Sequence, residues 1–266
     1  MANVNDVCDF LTWDTAFFGM RLGRVKGQFL DSARAQLVDD WAAANEIAGV
    51  YFLANSDDAQ VIRAAEASHY HLTDVRMTFD YRIPSKPIDR QPSQLLMRPS
   101  VADDVPILID ISKDAYVHSR FYHDPHFTPE QCSALYQTWI RRSCFEDYAD
   151  EVWVAEIEGQ PVGYVTCHLD QQVKDGSIGL VGIAEQARGR KVGEQLVNRA
   201  LDWFAEQDMS TVSVVTQGSN IAAQRLYQKC GFASRSLQLW YHKWYITPSS
   251  PEVIEGVGLQ KEQTAL

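Results

Sequence analysis

The stretch from Asp175 to Phe232 constrains the fold of this chain more than any other. An apolar run is followed by a basic loop that contains glycine, and the loop leads directly into an amphipathic helical pattern. A second β-type run follows, and then a helical pattern that begins at Asn220 and carries Tyr227 one turn before its closing glycine. This alternation predicts an α/β fold in which a helix N-terminus can hold an anion, with a tyrosine beside it.

The composition sets further limits on function. The chain has 266 residues, 45% of them hydrophobic, which is enough for one large domain or two small ones. Its formal net charge of -11 argues against nucleic acid as a partner. Five cysteines without CxxC spacing argue against a disulfide scaffold and against a metal site, and they favour a cytoplasmic location. We find no signal-peptide pattern and no long apolar run, so we expect no association with a membrane.

A proline-rich segment suggests how the chain is divided. Residues 84–92 (PSKPIDRQP) contain three prolines and no apolar pattern, which is typical of a linker. We therefore predict an N-terminal unit over residues 1–83, a linker over residues 84–93 and a second domain over residues 94–246. The polar residues 247–266 are expected to form a weakly ordered tail.

Two local predictions concern the N-terminal unit. The apolar and aromatic run Phe10–Gly23 predicts a strand, a short turn and a second strand. Apolar residues at helical spacing predict a helix over Ser32–Asn45. Asp31 or Ser32 can cap the start of this helix, and Gly49 can end it.

The two halves of the chain share a pattern. When Val50 is set against Val212, the segments that follow align without a gap, and their helix faces and final strands coincide. The chemistry is not repeated, because Ala65 stands where Tyr227 stands and the first copy lacks the basic loop. The pattern predicts a degenerate first copy, although two unrelated αβ segments can also align this well by chance.

The basic loop has the composition of an anion-binding site. The first N–H groups of a helix have no partners within the helix, and the helix dipole places roughly half a positive charge there. A phosphate group satisfies both. The alternative is an ordinary basic turn that faces solvent. The predicted site consists of Arg188, Gly189, Arg190, Lys191, Val192 and Gly193.

With its RGRKVG loop and its LYQKCGF helix ending, this order of elements resembles the acetyl-CoA-binding core of the GNAT superfamily of N-acetyltransferases. The resemblance covers Leu95 to Trp244. It implies a GNAT fold, with a central mixed sheet flanked by helices, preceded by a partial GNAT-like unit. The loop pattern of the family is Arg/Gln-x-x-Gly-x-Gly/Ala, and this chain has Arg188, Lys191 and Gly193 at those positions. Lys191 therefore replaces a family glycine, which puts the geometry of the loop in question.

The resemblance also implies roles for particular residues. The strand over residues 178–184 would splay from its neighbour, so that the backbone of Val181 and Ile183 could bind the pantetheine arm and polarise the thioester carbonyl. An N–H aimed at a developing oxyanion can lower a barrier by about 3 kcal/mol. Asn220 would bind the cofactor, and Tyr227 would protonate the leaving thiolate. The alternatives are that Asn220 only caps its helix and that Tyr227 is a core aromatic residue.

A general base is less apparent in the sequence. The acceptor amine must be neutral in order to attack the thioester. His168 and Asp170 end one predicted strand, and His123 and Asp124 lie in a loop rich in aromatic residues. Each is a candidate by residue type. A water relay to solvent is equally compatible with the sequence, and the alternative for each of these residues taken singly is a structural or surface role.

Residues 118–128 (HSRFYHDPHFT) and 11–19 (LTWDTAFFG) resemble the bacterial acetyltransferases that act on nucleotide-linked amino sugars of the TDP-fucosamine type. The resemblance implies direct attack on acetyl-CoA by the primary amine of a TDP-linked deoxy-amino sugar. An arginine in the first segment could bind a phosphate or sugar oxygen, and its aromatic residues could stack on a sugar or base or pack in the core. The predicted substrate residues are Arg120, Phe121, Asp124 and His168.

Two other functional interpretations stay open. The acceptor could be a protein N-terminus, a polyamine or an antibiotic, and the acidic net charge would suit a cationic acceptor. The chain could also be a non-catalytic module that binds acyl-CoA, which the lysine in the loop would favour. Among partners, we predict a small-molecule amine and leave open a homodimer.

Overall fold

The computed structural model of the chain describes residues 7–85, 95–146 and 148–245. The tail predicted over residues 247–266 and most of the linker predicted over residues 84–93 lie outside the described residues. Contacts divide the described part of the chain into two compact units, each of which is described by itself below.

The sequence of elements alternates between strands and helices, as an α/β fold requires. The strands are β1 (Cys8–Phe10), β2 (Leu22–Val25), β3 (Gly49–Asn55), β4 (His71–Arg82), β5 (Leu96–Pro99), β6 (Glu151–Ile157), β7 (Gln160–Asp170), β8 (Asp175–Ile183), β9 (Thr211–Gln217) and β10 (Ala233–Trp244). The helices are α1 (Thr12–Phe18), α2 (Ser32–Ala44), α3 (Ala59–Ala67), α4 (Val105–Ser112), α5 (Pro129–Phe145), α6 (Val192–Glu206) and α7 (Ile221–Lys229). None of these helices, all within the described ranges, is long and apolar enough to cross a membrane.

The first unit contains residues 7–76, 120–127 and 237–245. Its strand order is β1-β2-β3-β10-β4. β3 runs parallel to β2 and antiparallel to β10. Helix α2 begins where the sequence predicts, because Oδ1 of Asp31 accepts a hydrogen bond from the backbone N–H of Arg34 at 2.7 Å. The hydrophobic core of this unit contains four buried aromatic side chains: Trp41, Phe52, Tyr70 and Tyr241.

The strand–turn–strand predicted over Phe10–Gly23 is wrong in its central part, where Thr12–Phe18 forms helix α1. Trp13 and Phe17 are one helical turn apart, and their rings stack with centroids 5.0 Å apart. Gly19 ends the helix in the left-handed conformation, with φ of 69°. An apolar run of this length fits a strand or a helix, and the contacts between its rings favour the helix.

Gly49 does not end α2, contrary to the prediction. The helix ends at Ala44, and Gly49 is the first residue of β3. A Cβ atom at Gly49 would lie 2.6 Å from Cε3 of Trp244 in the adjacent strand. Glycine is therefore needed here because an indole ring lies directly against the backbone.

The second unit contains the remaining described residues, with the strand order β4-β9-β8-β7-β6-β5. From β5 to β8, each strand is antiparallel to the next one, whereas β8 and β9 are parallel. A tight hairpin turn joins β6 and β7, with Glu158 and Gly159 at φ of 54° and 77°. Helix α6 packs a broad apolar face against this sheet: Val192, Leu196, Val197, Ala200, Leu201, Trp203 and Phe204.

The two halves of the chain have matching element bounds. β3 begins at residue 49 and β9 at residue 211, an offset of 162 residues. With the same offset, β3, α3 and β4 coincide at both ends with β9, α7 and β10. The gapless alignment predicted from Val50 and Val212 therefore holds for these six elements.

β4 and β10 each contribute to both units. Residues 71–76 of β4 belong to the first unit and residues 77–82 to the second. Residues 233–236 of β10 belong to the second unit and residues 237–244 to the first. The division predicted at residues 84–93 stays a prediction, but the contacts of the described residues divide the chain elsewhere.

Candidate active site

A basic loop precedes helix α6 in the second unit. Lys191 is the N-cap of α6, and no side chain in the described ranges caps the start of the helix. The N–H groups of the first turn are thus available to a ligand. The side chains of Arg188, Arg190 and Lys191 are exposed, so their charges add to the positive end of the helix dipole. This arrangement can bind an anion such as a phosphate.

Three positions of the loop have different physical roles. Gly189 has a φ of 77°, and a Cβ atom there would meet nothing within 4 Å. Glycine is therefore favoured at this position because of its backbone conformation and not because of a close neighbour. At Gly193, a Cβ atom would lie 2.8 Å from Cδ1 of Ile183 and 3.1 Å from Cδ2 of Leu226, so glycine lets α6 approach β8 and α7. Lys191 adopts the left-handed conformation at φ of 61°, which costs an L-residue roughly 1–2 kcal/mol.

The end of β8 that leads into the loop is regularly paired with β7. The backbone N–H of Ala184 donates to the carbonyl of Val162 at 2.9 Å. Backbone groups of successive residues point to opposite sides of a strand. The N–H and C=O groups of Val181 and Ile183 therefore point away from β7, towards the side of β8 on which β9 lies.

On that side, β8 is paired over only part of its length. Within the described residues, the parallel pairing runs from Asp175 opposite Thr211 to Ile178 opposite Val214. β8 itself continues to Ile183, so its last five residues extend beyond this pairing. The divergence predicted for this strand, with the roles of Val181 and Ile183, stays a prediction.

A β-bulge separates the paired and unpaired parts of β8. Residues 165–167 of β7 lie opposite residues 178–181 of β8, so β8 has one residue more. The backbone N–H of Leu180 donates instead to the side-chain Oγ1 of Thr166 at 2.8 Å. In a regular strand, side chains on the same face are two positions apart. Because of the extra residue, this spacing is three positions at the bulge, and Gly179 and Gly182 lie on the same face.

The face of β8 that lies opposite α6 is covered by side chains of β7. A Cβ atom at Gly182 would lie 2.5 Å from Cε1 and Cζ of Tyr164, and one at Gly179 would collide with Nε2 of His168. The side chain of Ile183, which is adjacent to Gly182, points to the α6 side. Tyr164 and His168 therefore lie over the backbone of β8, on the side away from the basic loop.

Helix α7 begins at Asn220. The side-chain Oδ1 of this residue accepts a hydrogen bond from the backbone N–H of Ala223 at 3.1 Å, so the capping interpretation is correct. The cap uses only the oxygen of the side-chain amide. Its Nδ2 group can still donate to a ligand, and contact with a cofactor stays a prediction.

Tyr227 is buried near the end of α7, with 5% of its surface exposed. Its ring centroid lies 6.3 Å from that of Phe79 and 5.8 Å from that of Phe232. Burial raises the pKa of Tyr227 above its usual value. The hydroxyl therefore keeps its proton at neutral pH and can donate it to a developing anion.

Two of the general-base candidates belong to the second unit. Burial lowers the pKa of His168, against the opposing effects of the Asp150 carboxylate and of a hydrogen bond with the backbone of Tyr148. The imidazole is therefore neutral at pH 7 and can accept a proton. Oδ1 of Asp170 instead accepts a hydrogen bond from the backbone N–H of Gln172 at 3.0 Å, which shapes the turn after β7.

The sequence patterns did not single out a pair of tyrosines beside β8. Tyr116 follows α4, and its hydroxyl oxygen lies 3.0 Å from that of Tyr164 in β7. The ring of Tyr116 stacks on Tyr136 of α5, with centroids 4.3 Å apart. Tyr116 and Tyr164 are 48 residues apart in the chain, so no local pattern links them. The one local signal is the hydroxyl of Tyr164 within an apolar strand.

Three predicted substrate residues lie in the segment 120–127, which belongs to the first unit. The guanidinium carbon of Arg120 lies 4.3–4.4 Å from the ring centroids of Tyr51, Phe121 and Trp240. Nη1 of Arg120 donates to Nε2 of His242 at 3.1 Å. Arg120 is half-buried and can still reach a ligand, whereas Phe121 is 4% exposed and packs in the core. Stacking of Phe121 on a sugar or base is therefore not favoured.

Asp124 is surrounded by donors within the same unit. Its Oδ2 accepts hydrogen bonds from Nδ1 of His242 at 2.5 Å and from Nε1 of Trp244 at 2.8 Å. Its Oδ1 accepts from the backbone N–H of His126 at 3.0 Å and lies 2.8 Å from Nδ1 of that residue. Burial opposes ionisation of Asp124, but these hydrogen bonds hold its pKa well below the usual range. Such an environment favours a structural role over contact with a substrate or action as a base.

Comparisons with known proteins agree with this geometry. The profile of the Acetyltransferase (GNAT) family matches residues 113–232. The spore coat polysaccharide biosynthesis protein SpsD of Bacillus subtilis (strain 168) is 24% identical over 188 residues, which are 70% of this chain and 62% of that protein. The chain thus spans less than two thirds of the length of this relative. The dTDP-fucosamine acetyltransferase of Escherichia coli O6:H1 is 23% identical over 234 residues, which are 88% of this chain and 96% of that protein.

Among solved structures, the GCN5-related N-acetyltransferase from Sphaerobacter thermophilus has a TM-score of 0.63 at 17% identity. The superposition covers 95% of this chain and 78% of that chain. At this identity the likeness shows the fold alone. It confirms the predicted architecture, a large mixed sheet flanked by helices.

Proposed function

We propose that the chain is an N-acetyltransferase that takes its acetyl group from acetyl-CoA, and that residues 113–232, which match the model of the GNAT family, form its acetyltransferase domain. We further propose that the acceptor is the primary amine of a TDP-linked deoxy-amino sugar, which attacks the thioester directly. The predictions of a cytoplasmic location and of a homodimer stay predictions.

The unpaired edge of β8, next to the uncapped start of α6, is the observation that carries the proposal. An extended ligand with amide groups can pair with the outward-facing backbone of Val181 and Ile183. A ligand with an anionic end can bind the free N–H groups at the start of α6. Coenzyme A combines a pantetheine arm and a pyrophosphate in one molecule, so it fits both features.

The position of Tyr227 supports catalysis rather than binding alone. In an acyl transfer to an amine, the leaving thiolate must gain a proton. Tyr227 holds its proton at neutral pH because it is buried, and its helix contacts α6 at the loop through the side chain of Leu226. We assign Tyr227 as the general acid. Asn220 would support the cofactor through its free Nδ2 group.

The proposed acceptor rests on relatives and on two side chains. Two relatives carry names that refer to a nucleotide-linked amino sugar or to polysaccharide synthesis, each at below 25% identity. Of the four predicted substrate residues, Arg120 and His168 have polar groups available, the first to bind an anionic oxygen and the second to accept a proton. Phe121 and Asp124 would act as positioning residues that fix the segment carrying Arg120.

A binding and turnover experiment tests the cofactor and the acceptor separately. Calorimetric titration with acetyl-CoA should give saturable binding, and Arg188→Ala with Arg190→Ala should weaken it. Thermal shift with TDP, with TDP-4-amino-4,6-dideoxygalactose and with spermidine should show stabilisation by the two TDP compounds alone. Thiol release from acetyl-CoA should then be fastest with the amino sugar.

Each arm of this experiment can fail in its own way. If acetyl-CoA does not bind, the proposed cofactor is wrong. If acetyl-CoA binds but spermidine, rather than the TDP-linked sugar, stabilises the protein and releases thiol, the acceptor class is wrong and a cationic amine takes its place.

A further inference from the structure

Arg120 is a half-buried arginine that forms no ion pair with any carboxylate of the described residues. Its guanidinium makes one hydrogen bond to them, from Nη1 to Nε2 of His242 at 3.1 Å. The Nε and Nη2 groups form one edge of the guanidinium, and this edge has no hydrogen-bond partner in the same part of the chain. Charged side chains that leave water are usually paired, because an unpaired charge loses its hydration. In a chain of net charge -11, such an arginine is a candidate site for an anion.

Three aromatic rings hold the guanidinium of Arg120 in place. Its central carbon lies 4.4 Å from the ring centroid of Tyr51, 4.4 Å from that of Phe121 and 4.3 Å from that of Trp240. All three rings are buried, and each attracts the cation. The rings contact the guanidinium carbon, so the N–H edge is the part that remains for a ligand. Such an edge suits the paired oxygens of a phosphate or a carboxylate.

A buried histidine and a carboxylate fix the orientation of this arginine. An arginine side chain only donates hydrogen bonds, so Nε2 of His242 is the acceptor and the imidazole proton is on Nδ1. That proton is donated to Oδ2 of Asp124, which is 2.5 Å away. His242 is 1% exposed, and burial lowers its pKa, so the imidazole stays neutral at pH 7 and keeps this arrangement. With Nη1 of Arg120 directed at His242, the opposite edge is left for a ligand.

One carboxylate lies within electrostatic range of Arg120 in the same unit. Asp74 is 9% exposed, and its Oδ1 accepts a hydrogen bond from the backbone N–H of Val75 at 2.7 Å. Burial raises the pKa of Asp74 to about 6, against the opposing effects of that hydrogen bond and of the charges of His123 and Arg120. The carboxylate is therefore ionised at pH 7.5. Because it opposes an anion and favours a cation, removal of its charge distinguishes the two kinds of ligand.

Helix α2 of the same unit does not offer a competing site for an anion. With the offset of 162 residues, Asp31 stands where Gly193 stands at the start of α6. The Asp31 carboxylate accepts a hydrogen bond from the backbone N–H of Arg34 at 2.7 Å and places negative charge at the start of the helix. Arg120 is therefore the stronger candidate for an anion site in the first unit.

Building on the proposed acceptor, we infer that Arg120 binds the diphosphate of the nucleotide through its Nε–Nη2 edge and that His242 positions it. Of the parts of a TDP-linked amino sugar, only the diphosphate is an anion. Its oxygens can accept two parallel N–H groups, which is what the guanidinium edge offers. The nucleotide therefore binds to the first unit, to which the segment 120–127 and the end of β10 contribute. Sequence patterns did not single out His242, because it is 122 residues from Arg120 in the chain.

Calorimetric titration with TDP, inorganic pyrophosphate and thymidine tests this site directly. In Arg120→Ala, the Kd for TDP and for pyrophosphate should rise by roughly 10- to 100-fold, because hydrogen bonds between charged groups contribute about that much. Arg120→Lys keeps the charge but not the edge, so it should restore only part of the affinity. Thymidine has no phosphate, so its Kd should be the same in the wild type and in both variants.

Further variants separate positioning from a general loss of structure. His242→Phe keeps a ring beside Tyr51 but removes the acceptor for Arg120, so it should raise the Kd for TDP and the KM for the amino sugar without changing kcat. His242→Gln should recover affinity, because its side-chain carbonyl can accept the same hydrogen bond. Arg24→Ala is the matched control, because this half-buried arginine of the first unit is paired with Asp9 at 3.8 Å. It should bind TDP as the wild type does.

Two measurements test the sign of the charge and the identity of the site. At pH 7.5, Asp74→Asn should bind TDP roughly 2- to 10-fold more tightly, because a charge that repels the anion is removed. Acetyl-CoA also carries phosphates, so both ligands are titrated into both sets of variants. Arg120→Ala should bind acetyl-CoA as the wild type does. Arg188→Ala with Arg190→Ala should weaken the binding of acetyl-CoA and leave that of TDP unchanged.

The outcomes distinguish the inference from the function on which it rests. Equal Kd values for TDP in the wild type and Arg120→Ala, equal losses for thymidine and TDP, or weaker binding of TDP by Asp74→Asn would each overturn the inference. If Arg120→Ala loses affinity for TDP but the wild type does not acetylate the amino sugar, the proposed acceptor is wrong and the diphosphate site stands. If the wild type acetylates the amino sugar and Arg120→Ala has the same KM, the proposed function stands and the inference is wrong. If the wild type does not bind TDP, both are wrong.

Discussion

The ring of Phe79 in strand β4 lies beside the ring of Tyr227 in helix α7, with the centroids 6.3 Å apart. Phe79 precedes the predicted linker in the sequence, yet it belongs to the second unit. Tyr81 of the same strand packs on Phe232 at 5.4 Å. The proposed proton donor is therefore held partly by a strand from the N-terminal half of the sequence.

The first prediction concerns this support. Phe79 is fully buried, so Phe79→Ala should lower the free energy of unfolding by about 3–5 kcal/mol. Leu72→Ala is a matched control on the same strand. Because Leu72 is 53% exposed, its loss should change stability by no more than about 0.5 kcal/mol. Urea denaturation measures both, and equal effects would contradict the packing described here.

The second prediction tests the hydroxyl of Tyr227. Tyr227→Phe keeps the ring between Phe79 and Phe232 and removes only the acid. The kcat for thiol release should fall by about 10²- to 10⁴-fold, since general acid catalysis contributes that much. Calorimetry should show an unchanged Kd for acetyl-CoA. A variant that turns over at the wild-type rate would exclude Tyr227 as the proton donor.

The third prediction concerns the lysine in the anion loop. Lys191→Gly and Lys191→Ala both remove the charge, but only glycine removes the strain of the left-handed conformation at φ of 61°. The glycine variant should be more stable than the alanine variant by about 1 kcal/mol. Both variants should bind acetyl-CoA more weakly than the wild type, and to the same extent. If the alanine variant is the more stable of the two, the loop does not adopt this conformation.

The fourth prediction concerns pH and the buried His242. Burial lowers the pKa of this imidazole, as does the nearby Arg120, and these effects outweigh the hydrogen bond that His242 donates to Asp124, which acts in the opposite direction. The unfolded chain therefore binds more protons than the folded one below a pH of about 6.5. The contribution of His242 to the free energy of unfolding is at its full value above that pH. It is lost as the pH falls towards the lowered pKa that His242 has in the folded protein. The slope can reach about 1.4 kcal/mol per pH unit.

Urea denaturation at pH 7, 6 and 5 measures this slope. His242→Gln provides the control, because glutamine keeps one donor and one acceptor but does not titrate in this range. Its stability should depend less on pH than that of the wild type. Parallel curves for the two proteins would show that another group is responsible. Asp124, whose pKa is also lowered, affects stability only at more acidic pH.

Much of the second unit could be predicted from the sequence because its signals are local. The amphipathic spacing of α6, the capping Asn220 and the Glu158–Gly159 turn each depend on neighbouring residues, and all are present in the structure. The loop conformation is less predictable, because a lysine at position 191 does not favour the left-handed region.

Long-range contacts explain what local patterns could not reveal. Asp124 has the residue type of a base, but His242, 118 residues away in the chain, takes up one of its oxygens. Phe121 has the residue type of a stacking platform, but its ring is buried against Phe18. The sequence does not predict helix α1 for a related reason. A short apolar run fits a strand or a helix, and the contacts that decide between them are not visible in the run itself.

The glycines of β8 have a consequence for the evolution of this chain. Gly182 leaves room for Tyr164, Gly179 for His168, and in the same unit Gly176 for Phe204, whose ring would lie 2.5 Å from a Cβ atom there. In each of these pairs, the glycine cannot gain a side chain unless its partner becomes smaller. In an alignment of homologues, positions 164 and 182 should therefore covary, with a side chain at 182 only where residue 164 is small. A homologue with a side chain at position 182 should therefore have exchanged the tyrosine ring at position 164 for a smaller residue, so the two changes are expected to occur together in evolution.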